Sequence, residues 1–191
     1  MKPSWEQIVN DIFKSENITE LQLRAFCTYN ILKDRIYTEV LPDVLKILNK
    51  EGLDIESIWI TVWGKLISAA IYLMVQTVSQ YFKDNKNDAD NFNKLVFATF
   101  LEDFNEQKET LLEYEKNNQT LGRGQMIWAL GSQICKAIGR EDPNLIIKIN
   151  ILVWKQIAWI EARTTWNILK MPLDKLKEKM LKLNYVKMKE E

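Results

Sequence analysis

From Asp54 to Lys83 the apolar positions are interrupted only by a thin polar series, Ser57, Thr61, Lys65, Ser68, Tyr72, Gln76, Ser79 and Lys83, spaced three or four apart. That spacing is one face of a helix, so the stretch predicts a single long helix, apolar nearly all round, with a polar seam. A second strongly apolar helix is predicted over 143–170. Asp142 and Pro143 mark its start, an N-cap followed by proline in the first turn. Its cations Lys148, Lys155, Arg163 and Lys170 recur every seven or eight residues and so share a ridge.

Around these two helices, taken as central, the pattern predicts six more. Ser4 and Gln7 have capping-box spacing and open a helix over 5–14. Asn17 and Glu20 repeat that logic for a second helix with Leu23, Phe26, Cys27, Ile31 and Ile36 on its inner face. Pro42 removes a backbone donor, which predicts a break near Leu41 and a short helix from Asp43 to Lys50. Gly52 reads as a left-handed C-cap and Asp54 as the next N-cap. The run 84–91 (DNKNDADN) reads as a solvated loop. A fifth helix follows, with Phe92, Val96, Phe100, Phe104, Gln107, Leu111 and Tyr114 facing inward and Glu102, Glu106, Glu109 and Glu113 facing out. A turn over 117–124 leads to a helix ending near Ile138 and capped by Gly139. After Pro172, Leu173, Leu176, Met180 and Leu183 take a and d positions of a last, lysine-rich helix. The expected fold class is all-α, a single-domain bundle of about eight helices, with a globular body over 1–171 and an amphipathic C-terminal helix over 172–191.

Composition agrees with long helices. The chain of 191 residues has only 6 Gly and 4 Pro, too little turn material for an all-β protein. Lys plus Arg and Asp plus Glu both number 26, so net charge is zero and no nucleic-acid partner is expected. Lys65 within the apolar run, the continuous polar seam and the lack of a flanking cluster of positive charge argue against a membrane span. Cys27 and Cys135 read as buried thiols of a reducing compartment, which places the chain in the cytoplasm.

The chain contains no histidine, which excludes imidazole-dependent nucleophilic sites and histidine-ligated zinc, iron and haem. No cofactor, metal or catalytic residue is therefore assigned, and a non-enzymatic role is favoured. Glu102, Glu106 and Glu109 form the one acidic arrangement suited to a Mg²⁺-dependent enzyme, although such a stripe is also what a solvated helix face looks like. Asp84, Lys86, Asp88 and Asp90 lack the glycine and the final glutamate of a calcium loop. Leu121-Gly122-Arg123-Gly124 reads as an interhelical turn. Helix number and order resemble those of sensor globins, without the proximal histidine, so no haem role follows from the resemblance.

The expected function is a non-catalytic ligand-binding or regulatory domain with an apolar pocket beside helix 54–83. Lys65, Ser68, Tyr72, Gln76, Trp63 and Trp159 are its candidate ligand residues, with Lys65 meeting the carboxylate of a lipid-like molecule. The alternative is a homo-oligomeric interaction module that pairs through the seam and the C-terminal helix.

Overall fold

The computed structural model describes residues 3–109, 112 and 129–184, without the side chains of 154 and 155. It is all-α, with no strand among the described residues. Seven α-helices have both ends in view, where eight were expected. They are α1 (Trp5–Lys14), α2 (Glu20–Arg35), α3 (Leu41–Lys50), α4 (Ile55–Tyr81), α5 (Lys86–Asp103), α6 (Pro143–Lys170) and α7 (Leu173–Met180). Residues 129–137 are also helical. The expected turn at 117–124 and the inward positions Leu111 and Tyr114 lie outside the described residues.

Capping chemistry sets most boundaries. The Ser4 hydroxyl accepts from the Gln7 amide at the start of α1. In α2 the reciprocal box is formed by Thr19 and Gln22, not by Asn17 and Glu20. The Gln22 side chain reaches back to the Thr19 amide at 2.8 Å. Asp54 and Asp142 cap α4 and α6 as expected. Gly52 and Gly139 take φ of +79° and +70°. Each completes a Schellman closure, through Leu53 N to Leu48 O and Arg140 N to Cys135 O.

Three boundaries differ from the sequence reading. Pro42 does not break the chain's helical path: α2 passes through a π-turn over Ile36–Val40 and continues directly as α3. The wider turn closes Leu41 N onto Ile36 O and places the donor-less proline at the start of α3, where no N–H is required. The run 86–91 is helix, not loop, because Asn85 caps α5 by accepting from the Asp88 amide, and Ala89 starts its buried face. That face continues through Phe92, Val96 and Phe100. At its other end α5 stops at Asp103. Phe104 leaves helical geometry at φ −137°, and a 3₁₀ turn spans Asn105–Gln107.

The long apolar helices α4 and α6 run side by side in the same direction, since the contacts Thr77–Glu161 and Tyr81–Leu169 advance together. The most apolar window of α4 is 61% buried, as expected of a helix surrounded by others. A third helix shares the centre. Every residue of α2 from Cys27 to Asp34 is buried, polar ones included. Its hydroxyls and amides are satisfied locally, Thr28 by Arg24 O and Asn30 by Phe26 O. Arg24 also donates to the carbonyls of Ile168 and Met171, a cation at the C-terminal end of the α6 dipole. Helix α7 buries Leu176 and Met180, with Leu183 beyond it, against the body. Trp5 Nε1 donates to Met180 O at 2.7 Å, and Asp34 accepts from the Asn184 amide.

Cys27 and Cys135 are buried free thiols. Burial pushes Cys27 up to about 12 and Cys135 to about 11. A thiol held neutral in the fold contributes stability that is complete below the unfolded value and is lost as pH rises from there through the folded value. Neither thiol is expected to react with Ellman's reagent in the native protein at pH 8, and both should react in urea. Rapid native titration of either would contradict the burial.

Candidate functional site

The expected ligand residues do not form one cluster. At 3.6 residues per turn Lys65, Ser68, Tyr72 and Gln76 share a side of α4, and Trp63 projects from the opposite side. Ser68 is fully buried and its hydroxyl donates to Gly64 O at 2.7 Å, so it closes on its own helix. Tyr72 is buried, while Lys65 and Gln76 are half-buried. One turn along, Glu161 of α6 is buried with both carboxylate oxygens engaged. Thr77 donates to one at 3.1 Å and Thr165 to the other at 3.0 Å. By helical rotation Thr77 and Tyr81, which bond to α6, lie on the Trp63 side of α4, opposite the seam. The seam is buried or half-buried over its middle turns and opens to solvent at Ser57, Ser79 and Lys83.

Trp63, 3% exposed, belongs to an aromatic cluster. Its ring stacks on Trp59 at 6.0 Å and meets Tyr37 at 5.3 Å and Phe104 at 5.5 Å. Trp159 is elsewhere, 55% exposed on the outside of α6 beneath the guanidinium groups of Arg35 and Arg163. Trp159 and Trp166 both stand at the surface with cations against their rings, and Trp166 also packs edge-to-face on Tyr81 at 5.4 Å.

Two features were not foreseen. The first is an ion pair between the buried Lys33 of α2 and Asp103 at the end of α5, whose side chain is 31% exposed. The ammonium lies 5.4 Å from the ring centres of Tyr29 and Trp63 and 5.5 Å from that of Phe104. Tyr29 donates its hydroxyl to the same carboxylate at 2.7 Å. Three ring faces and one carboxylate therefore replace water around the charge. Asp103 is exposed like Glu102, Glu106 and Glu109 but differs from them in pairing with a buried ammonium, and the helix break at Phe104 separates Glu102 from Glu106 and Glu109. Among the described residues no three acids or thiols converge on a point suited to a metal ion.

The second feature is a groove of about 490 Å³ where the π-turn and α3 diverge from the first turns of α4. Tyr37, Thr38, Leu41, Pro42, Leu45, Ile55, Glu56 and Trp59 line it. It lies beside helix 54–83, at the N-terminal end rather than along the seam, and contains none of the six expected residues. Tyr37 and Thr38, two of its lining residues, belong to the π-turn. The one sequence signal was Pro42 inside a helical pattern, which was read as a break. Tyr37 and Trp59 both touch Trp63, so one ring connects the groove wall to the Lys33 cage. No known family model matches the chain, and no curated protein or solved structure is significantly similar to it.

Proposed function

We propose that the chain is a non-catalytic, all-α ligand-binding or regulatory domain that holds an apolar small molecule in the groove beside the first turns of α4. The observation that carries this reading is the groove itself. It has the volume of a small-molecule site, and its walls are apolar apart from a few polar groups. The polar side chains among the lining residues are Tyr37, Thr38, whose hydroxyl donates to Asp34 O at 2.9 Å, and Glu56, so an apolar body ending in a hydroxyl or ammonium suits it. A fatty carboxylate would meet the like charge of Glu56, and Lys65 is not among the lining residues. The regulatory element follows from Trp63: a ligand pressing on Tyr37 and Trp59 loads the ring that covers the α2–α5 ion pair.

Thermal shift with long-chain amines, alcohols and fatty acids tests this. The expected result is a rise in melting temperature and a change in tryptophan emission with amines or alcohols. Leu45→Trp, which fills the groove, should remove both responses and leave the helical circular dichroism intact. Absence of any response in the wild type, or an undiminished response in Leu45→Trp, would sink the proposal. The homo-oligomer alternative has less to work with, because Leu176, Met180 and Leu183 of its expected interface are buried within the chain.

A further inference from the structure

The outward side of α6 takes no part in the groove or the core. Ile147, Ile151, Trp159 and Trp166 stand 45%, 67%, 55% and 39% exposed along it. By helical rotation they fall within a sector of roughly 120°. Single exposed apolar residues are ordinary, but four along one side of one helix form a patch of the kind that meets a partner.

The cations share this side. Arg163 lies 4.8 Å from the ring centre of Trp159, and Lys170 lies 4.4 Å from that of Trp166. Arg35 of α2 also lies over Trp159, 5.8 Å from its ring centre. Arg163, Lys170 and Lys179 form no ion pair among the described residues. Burial first, and then Arg35 and Arg163, hold the Lys179 ammonium below its ordinary range, so these positive groups crowd one another. The only acid between Pro143 and Lys170 is Glu161, which is buried against Thr77 and Thr165. Past the end of α6 the basic character continues in a hollow of about 240 Å³ lined by Met171, Lys175, Glu178, Lys179 and Lys182.

We propose that the outer side of α6, with the basic edge of α7, docks on the surface of an anionic phospholipid bilayer. Helix α6 would lie along the interface with Ile147 and Ile151 dipping below the headgroups. Tryptophan rings favour the headgroup level, and lysine and arginine beside them meet lipid phosphates and carboxylates. The surface is a helix ridge about 42 Å long. A ridge suits a flat or yielding partner better than an acidic peptide, which needs a groove to hold it. This inference is independent of the groove and its ligand.

Flotation of the full chain with vesicles decides it. Binding is expected to phosphatidylcholine vesicles containing phosphatidylserine, with a blue shift in tryptophan emission and release as salt is raised. Little binding is expected to phosphatidylcholine alone. Ile151→Asp, and separately the double variant Arg163→Glu/Lys170→Glu, should each weaken partitioning at least about tenfold. Their melting temperatures should hold, since these side chains are exposed. The proposal is overturned by failure to bind either vesicle, by equal binding to both, or by variants that partition like the wild type. Binding to polyglutamate without flotation would also overturn it and indicate a protein partner.

Discussion

Asp103→Ala is expected to lower the unfolding free energy by about 3 kcal/mol, the lower end of what removing one member of a buried ion pair costs, because the lost carboxylate is itself 31% exposed. The cost arises because Lys33, 2% exposed, would keep its ammonium among three rings after losing the carboxylate that faces it. Cation–π attraction offsets on the order of 1–2 kcal/mol of that penalty. Tyr29 would also lose its acceptor. Urea unfolding followed by circular dichroism measures the change. Lys33→Met with Asp103→Leu provides the contrast, because replacing both charges with apolar groups of similar size is often neutral or stabilising. If the single and double variants were equally unstable, the loss would come from packing and not from an uncompensated charge.

Trp63→Ala should be comparably damaging, at about 3–5 kcal/mol, from lost transfer free energy and the cavity left behind. Trp63 contacts Tyr37, Trp59 and Phe104 and also covers the Lys33 ammonium. Its removal should therefore lower stability and, on the proposed function, ligand affinity together. Trp63→Phe keeps a ring over the ammonium and should recover much of the stability. Chemical unfolding and the amine or alcohol thermal shift, measured on both variants, check this. A Trp63→Ala protein as stable as the wild type would show that the cluster closes without the indole.

The pattern of apolar positions revealed α4 and α6 because their periodicity is dense and their caps, Asp54 and Asp142, are strong local signals. It did not reveal α2 as a central helix. Thr28, Asn30, Lys33 and Asp34 look solvent-facing in one dimension, yet Thr28 and Asn30 close on carbonyls of their own helix, and Lys33 and Asp34 find partners that only tertiary structure supplies. The cage was illegible for the same reason: Lys33 and Asp103 are 70 residues apart, and Asp103 sits among glutamates that also face water. The groove was missed because Pro42 was assigned its commonest effect. A π-turn adds one residue to a helix without a composition of its own, so periodicity registers it only as a blurred phase. Trp159 was placed beside the pocket because indole counts as apolar in any pattern, whereas here it stands at the surface with the guanidinium groups of Arg35 and Arg163 over its ring.

The π-turn also constrains how this chain can vary in length. Helices α2 and α3 are joined without a loop, so no flexible segment absorbs an insertion or deletion between them. Deleting one residue from Ile36–Val40 would restore an ordinary α-helix and rotate everything beyond it by about 100°. Val44 and Leu48, now fully buried, would turn away from the core, and the groove wall would turn with them. The stretch tolerates substitution far more readily than a change in residue count, which is unusual for the junction between two helices, where length is ordinarily the freest parameter.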